Sequence, residues 1–343
     1  MKCETCDSNA KIKVAKNGSL RCAPCFILWF EDDVYETIKQ TGIFKPKDRI
    51  AIGVSGGKDS TVLAHILHTL NDRHQLELEL LLVCIDEGIQ GKSYRDDSIR
   101  EVKKNKEDLQ LPLLILSYKD LYGWSMDEIV AKIGKKNNCT FCGVFRRQAL
   151  DRGAFKLGAN KVVTGHNADD LAETVLLNVF RGDMARLQRC TSAFTGTEGD
   201  LPRVKPFKFS FEKDIVMYAH HRKLNYFCTE CKYAPNSFRS YARTLIKDLE
   251  RERPQSILDL IYSGDSVSVK ESARKQVETR CERCNYICSN RICKACTLLY
   301  GLNQNDTSIG VKKGSSIPTS EIDAYAAGTC GDCPCDNKQK IEF

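Results

Sequence analysis

Apolar and polar positions change period in blocks along the middle of this chain. Residues 49–54 form a short β-branched run, Ser55-Gly56-Gly57 follows, and residues 58–70 carry a helical pattern. Residues 77–85 are rich in Leu and Val and predict a second strand. Residues 93–109 read as a polar helix, 113–117 as a strand, 139–157 as a helix and 161–164 as a strand. Residues 169–180 are helical, with Leu171, Val175, Leu176 and Val179 at helical spacing. Strands alternating with helices predict an α/β fold, a parallel sheet covered on both faces. Beyond residue 254 the pattern fades. Residues 255–280 are polar and predict a linker, and residues 303–343, rich in Ser, Gly, Thr and Asp, predict a flexible tail.

The length of 343 residues suits about two domains, or one large domain with small modules attached. An apolar share of 42% supports a sizeable core. Lys and Arg number 52 against 45 Asp and Glu, a net +7 that fits a polyanionic partner without demanding one. No apolar run is long enough to span a membrane. The start, Met1-Lys2-Cys3-Glu4-Thr5-Cys6, lacks the apolar segment of a signal peptide. The 18 cysteines therefore point to metal binding or redox chemistry rather than to a secreted disulfide scaffold.

The sharpest local signal is Gly53-Val54-Ser55-Gly56-Gly57-Lys58-Asp59-Ser60, between a predicted strand and a predicted helix. Two glycines allow a tight turn and a close ligand approach, and the helix N-terminus presents unpaired N–H groups to an anion. It is not a Walker A loop, since three residues separate Gly53 from Gly57 and Asp59 follows the lysine. A second group, Thr164-Gly165-His166-Asn167-Ala168-Asp169-Asp170, also sits at a strand end and opens a helix. Asp169 or Asp170 is a candidate Mg²⁺ ligand beside phosphates, with Asp86 at the end of the second strand as another. The structural alternative for this group is helix capping by Asn167 or an aspartate.

The cysteines are clustered. Cys3-x2-Cys6 and Cys22-x2-Cys25 are separated by fifteen residues, and Cys281-x2-Cys284 and Cys293-x2-Cys296 by eight. Both quartets fit four-thiolate structural zinc sites, which small segments without a core need. Cys288 is left over. Cys139-x2-Cys142 lies inside the α/β stretch, and Cys228 and Cys231 lie far downstream. Brought together, three such thiolates would hold an iron–sulfur cluster with one iron open, a third zinc, or a metal-free redox dithiol. Arg146 and Arg147 follow directly, and Arg239, Arg243, Lys247, Arg251 and Arg253 recur along one predicted helix. They suit contact with an unpaired RNA loop, or else form a solvated charged face.

Residues 55–60 resemble the pyrophosphate-binding loop of the N-type ATP pyrophosphatases. Together with both quartets, Cys139-Thr140-Phe141-Cys142-Gly143, residues 164–170 and residues 226–236, the chain resembles the cytoplasmic tRNA 2-thiolation protein 1 family over most of residues 1–302. The resemblance implies an adenine-nucleotide α-hydrolase-like (PP-loop ATPase) domain flanked by N- and C-terminal zinc modules. The organisation expected is a module at 1–30, the catalytic domain at 31–254, a linker at 255–280, a module at 281–302 and a tail at 303–343. It further implies cytoplasmic, ATP- and Mg²⁺-dependent 2-thiolation of the wobble uridine of tRNAs for Lys, Glu and Gln. O2 would be adenylated and then displaced by sulfur. The implied sulfur source is a thiocarboxylated ubiquitin-like modifier, and the implied partner a related subunit, protein 2 of the same pathway.

By that resemblance Ser55, Gly56, Gly57, Lys58, Asp59, Ser60, Asp86, Gly165, His166 and Asp169 hold the nucleotide. Lys58 and Asp170 act in the chemistry, and Cys139, Cys142 and Cys231 hold the cluster, of the 4Fe-4S type. Cys3, Cys6, Cys22, Cys25, Cys281, Cys284, Cys293 and Cys296 hold two Zn²⁺. Cys228 and Cys288 depart from the family pattern, and Cys330, Cys333 and Cys335 carry no implied role. Two competing readings are another PP-loop tRNA-modifying enzyme, such as a 2-thiocytidine synthase, and a catalytically silent tRNA-binding zinc scaffold. The nucleoside product and the presence of ATP turnover separate them.

Overall fold

The computed structural model describes residues 1–90, 94–195, 201–229, 231–233, 238–267, 279–312 and 314–328. The N-terminus forms a small ladder, β1 (Ile12–Lys13) with β2 (Leu20–Arg21), and runs into the long helix α1 (Ala23–Thr41). The α/β body follows as β3 (Arg49–Gly53), α2 (Lys58–His74), β4 (Glu79–Asp86), α3 (Tyr94–Leu109) and β5 (Leu113–Ser117). Then come α4 (Tyr118–Tyr122), α5 (Met126–Ile133), α6 (Asn138–Lys156), β6 (Lys161–Val163), α7 (Ala168–Phe180) and α8 (Met184–Cys190). The edge strands β7 (Phe194–Thr195) and β8 (Arg203–Val204) precede α9 (Glu212–His221), α10 (Phe238–Glu252) and α11 (Ser256–Asp265). A second ladder, β9 (Thr279–Arg280) with β10 (Ile287–Cys288), leads to α12 (Lys294–Asn303) and α13 (Thr319–Ala326).

The central sheet has the order β5-β4-β3-β6-β8-β7. All its pairings are parallel except β7 with β8. The expected parallel sheet therefore carries one antiparallel edge strand. The inner strands β3, β4 and β6 are buried on both faces, which explains their continuous apolar runs. Side chains alternate between two cores. Ile50, Ile52, Leu80 and Leu82 join Phe26, Phe30, Ile66 and Tyr218 of α1, α2 and α9. Ala51, Leu81, Val83 and Ile85 join Phe141 and Phe145 of α6 and Leu298 of α12. The chain goes from β3 outward through β4 and β5, then returns to β6 on the other side of β3. Such a switch point opens a crevice at the carboxyl ends of β3 and β6.

Two expectations about the C-terminal part are corrected. The segment read as a linker begins with α11, whose Ile257, Leu258 and Ile261 pack with Leu171 of α7 and Ile246 of α10. Of the segment read as a flexible tail, the described part, which ends at residue 328, packs on the C-terminal module. Ile309, Ile317 and Tyr325 are buried, the Tyr325 and Tyr300 rings meet edge-on at 5.0 Å, and the Tyr325 hydroxyl donates to the Cys296 carbonyl at 2.8 Å. A small metal module with little core of its own needs this cover. Cys330, Cys333 and Cys335 lie outside the described residues.

Candidate active site and metal centres

The glycine loop and the N-terminus of α2 occupy the crevice. Ser60 Oγ accepts from Ser55 N–H at 3.1 Å and donates to the Gly57 carbonyl at 3.0 Å. Ser55 Oγ accepts from Gly57 N–H at 3.3 Å. These bonds curl the loop around its own backbone and leave the α2 N-terminus, capped by Gly57 without a side-chain bond, open to an anion. Gly56 has φ +80°, and a Cβ there would lie 2.5 Å from the Ser98 carbonyl of α3. Gly165 carries the second strand end against the first, since its Cβ would sit 3.0 Å from the Asp59 backbone. Asn167 donates to Asp59 Oδ1 at 3.1 Å and caps α7 in a reciprocal box with Asp170. His166 is exposed, its Nδ1 2.8 Å from Thr164 Oγ1.

Charge is arranged in layers here. Lys58 Nζ lies 2.7 Å from Glu212 Oε1 and 3.1 Å from Asp59 Oδ2. Burial would raise the Glu212 carboxyl, but Lys58 and Lys247 outweigh it and hold it down to about 2. Burial pushes Asp59 up, with Asp170 and Glu212 adding to the effect against Lys58. Asp169 is buried with both oxygens engaged, by Lys247 at 2.5 Å and by the Glu212 N–H at 2.8 Å. Asp170 is half-buried and contacts Arg239 at 3.0 Å. Asp86 accepts from Gly88 N–H at 2.9 Å and lies 3.5 Å from the buried Arg95. Glu212 carried no local motif and Lys247 was read only as one of a row of cations, and the folded contact reveals their place beside Lys58.

The sequence left the cations of α10 and the residue after it between RNA contact and a solvated charged face, and in the structure each of them pairs with a carboxylate. Arg239 and Arg243 both clasp the buried Glu173, at 2.5 and 2.7 Å. Lys247 turns to Asp169, Glu212 and Glu250, while Arg251 pairs with Asp248 and Arg253 with Asp259. The outer face of α10 is instead apolar: Phe238, Tyr241, Leu245 and Leu249 are exposed. A buried carboxylate needs a partner, so Arg239, Arg243 and Lys247 reach toward Glu173 and Asp169, while Arg251 and Arg253 stay exposed.

Cys139 and Cys142 stand in the first turn of α6. Burial foremost, and then the nearby Cys231, pushes the Cys139 thiol up, with Arg146 opposing. Cys142 is also raised by burial and, more weakly, by Cys231, while its Sγ accepts from Arg146 at 3.2 Å. Cys231 is half-buried and Cys228 exposed. The Cys139 and Cys142 thiols thus both resist ionisation, with Cys231 near enough to act on each. Among the described residues only the two terminal quartets close to within 4.8 Å, the spacing of a single ion. The wider trio fits a multi-iron cluster better than a third zinc.

One segment joins the trio to the loop. Phe227 N–H donates to the Gly56 carbonyl at 2.7 Å. Asn138 at the start of α6 donates to the Tyr233 carbonyl at 3.5 Å, and the Tyr233 hydroxyl donates to Asp127 at 2.6 Å. Cys231 lies between these anchors. The quartets are tighter. Cys6 Sγ lies 3.6 Å from both Cys22 Sγ and Cys25 Sγ, and Cys284 Sγ lies 3.6 Å from Cys293 Sγ. Tetrahedral Zn–S bonds of about 2.3 Å place sulfurs roughly 3.8 Å apart, so both sets fit zinc. Cys288 stands apart, its thiol donating to the Asn290 carbonyl at 2.9 Å.

Sheet order, glycine loop and crevice define a PP-loop domain, and a family model of that description matches residues 30–249. A zinc-ribbon model matches residues 279–310. The cytoplasmic tRNA 2-thiolation protein 1 of Caenorhabditis briggsae is 60% identical over 96% of this chain and 89% of its own length. Its Caenorhabditis elegans counterpart is 59% identical over 96% and 87%, and that of Oryza sativa subsp. japonica 55% over 96% and 88%. The chain belongs to the cytoplasmic tRNA 2-thiolation protein 1 family. Among solved structures, the U34-tRNA thiolase NcsA from Methanococcus maripaludis with its 4Fe-4S cluster superposes with a TM-score of 0.75 at 29% identity, over 88% of this chain and 96% of that one.

Proposed function

We propose that this protein replaces O2 of the wobble uridine with sulfur in tRNAs for Lys, Glu and Gln, using ATP, in the cytoplasm. Family membership supports the class, a PP-loop enzyme of tRNA 2-thiolation. The relatives' name supports both the cytoplasmic location and the position thiolated on the base. The observation that supports the chemistry is a pair of anchors on either side of Cys231, Phe227 on the phosphate loop and Tyr233 on the start of the helix that carries Cys139 and Cys142.

The open N–H groups at the α2 N-terminus, with Lys58, receive the ATP phosphates. Asp169 is buried under Lys247, so the more exposed Asp170, Asp59 and Asp86 are the carboxylates that would exchange their present partners for Mg²⁺ at the crevice. Uridine O2 attacks the α-phosphorus, the bond to pyrophosphate breaks, and the N3 proton is lost. A hydrosulfide then attacks C2, the C2–O bond breaks, AMP leaves, and the incoming proton returns to N3. A cluster held by Cys139, Cys142 and Cys231 would supply one open iron position for external sulfur. Arg146 and Arg147, exposed beside Cys142, would meet the anticodon loop. The sulfur source is a thiocarboxylated ubiquitin-like modifier and the partner a related second subunit. The two quartets hold Zn²⁺.

The discriminating variant is Cys139→Ala. Thiolation should vanish while ATP binding, measured by calorimetry, stays within about twofold. Retained thiolation would remove the trio from the reaction.

A further inference from the structure

Gln148 sits in the middle of α6 and is 1% exposed. Its Nε2 donates toward Cys293 Sγ at 3.4 Å and Cys284 Sγ at 3.7 Å, while its Oε1 is buried with no hydrogen-bond partner among the described residues. An amide that leaves its carbonyl oxygen unpaired in order to aim N–H groups at two sulfurs is unfavourable against neutral thiols, which are weak acceptors. Against metal-bound thiolates the same bonds are charge-assisted. The helix that carries Gln148 also carries Cys139 and Cys142 at its start. Phe141 and Phe145 of that helix share a core with Cys281, Cys293, Cys296 and Leu298. The Tyr286 hydroxyl, from the ribbon, donates to Asp151 of the same helix at 2.6 Å.

We propose that Gln148 is a positioning residue that couples the C-terminal metal site to the thiol trio, so that losing that metal, or the Gln148 donor, loosens the Cys139–Cys142 pair. On one side the amide stabilises the metal thiolates. On the other it holds the middle of α6 against the ribbon, and with it the turn that presents both cysteines. The inference rests on reading the quartet as zinc and the trio as iron–sulfur.

The test uses the full chain, anaerobically loaded with zinc and iron–sulfur cluster and challenged with graded chelator. Zinc release is followed together with the visible absorption of the cluster. Gln148→Leu keeps the approximate shape and removes the donors, and Gln148→Glu places negative charge against the sulfurs. One of two zinc steps should weaken about tenfold in Gln148→Leu and further in Gln148→Glu, with the step of the N-terminal quartet unchanged as internal reference. Cluster absorption should decay faster in step with that zinc. If the leucine variant does not fold, the unaltered chain still tests the coupling, because its iron should be lost as its C-terminal zinc is withdrawn. Unchanged zinc steps in both folded variants, or iron retained after both zincs have gone, would overturn the coupling. A chain that takes up no second zinc, or no iron, would overturn the underlying assignment as well, and the metal content before chelation separates the two failures.

Discussion

The backbone N–H of Phe227 donates to the carbonyl of Gly56 at 2.7 Å, and this bond sets where the downstream cysteines can be. Gly56 is in the left-handed region and abuts Ser98 on its other side. The loop is thus held between α3 and the segment that leads to Cys231. Gly56→Ala should force both apart, costing about 2 kcal/mol or more through strain and overpacking. Thermal unfolding and nucleotide titration of the variant should show both lowered stability and weakened ATP binding. Unchanged ATP affinity would mean that the loop geometry does not govern the nucleotide site.

Cys228 and Cys231 make a direct contrast. Cys231 influences both Cys139 and Cys142, whereas Cys228 is exposed. Iron per chain after anaerobic reconstitution should be preserved in Cys228→Ala and lost in Cys231→Ala. The opposite pattern would exchange the two assignments.

Glu173 clamps α10 onto α7 through Arg239 and Arg243, which are 40% and 51% exposed at the side chain while Glu173 is 3%. Replacing it with Ala takes this carboxylate from Arg243 and leaves Arg239 with Asp170, and both guanidinium groups can still reach water, so the loss belongs at the low end for a broken buried pair, about 2–3 kcal/mol. Denaturant unfolding measures it. Glu173→Ala that unfolds like the parent would show that Ala242, Ile246 and the Lys247–Asp169 and Arg239–Asp170 pairs hold α10 without it.

The strands and the phosphate loop were legible because their signals are local: β-branched runs and glycines where the backbone must turn. The quartets were legible because the spacing of tight turns prescribes tetrahedral ligands. The orientation of α10 was not. Its sequence offers cations and apolar residues at the same helical spacing, and only Asp169 and Glu173, buried on another helix, decide which face turns inward. Residues 303–328 look polar, yet Ile309, Ile317 and Tyr325 suffice to cover a module that has few apolar residues of its own. In 255–267, Ile257, Leu258 and Ile261 did carry a short helical pattern, hidden by the polar stretch that follows.

Acid should expose the Glu212 network. Its folded carboxyl lies at about 2 against an ordinary 4.5, so the unfolded chain binds its proton first. The contribution, on the order of 3 kcal/mol, is fully present above pH 4.5 and is lost as pH falls toward 2. Glu212→Gln should therefore lower the melting temperature at pH 7 and flatten its decline between pH 4.5 and 2. A parallel decline in both proteins would contradict the Lys58–Glu212–Lys247 bridge.

The N-terminal quartet is closed by Cys22, which caps α1, and Cys25 in its first turn. Cys22→Ser should lower zinc from two ions per chain to one, with the parallel sheet retained by circular dichroism. Two ions retained in this variant would show that the N-terminal set is not a zinc site.

The central claim is that one crevice both activates the wobble uridine and receives the sulfur. The direct measurement is an anaerobic reaction of the cluster-loaded chain with ATP, Mg²⁺, sulfide and unmodified tRNA bearing a UUU anticodon. Digested nucleosides are read by mass spectrometry and AMP is counted in parallel. The account predicts 2-thiouridine at the wobble position and AMP in equal amounts, both dependent on tRNA. Tight tRNA binding with neither product, from protein holding its full iron and zinc, would contradict it.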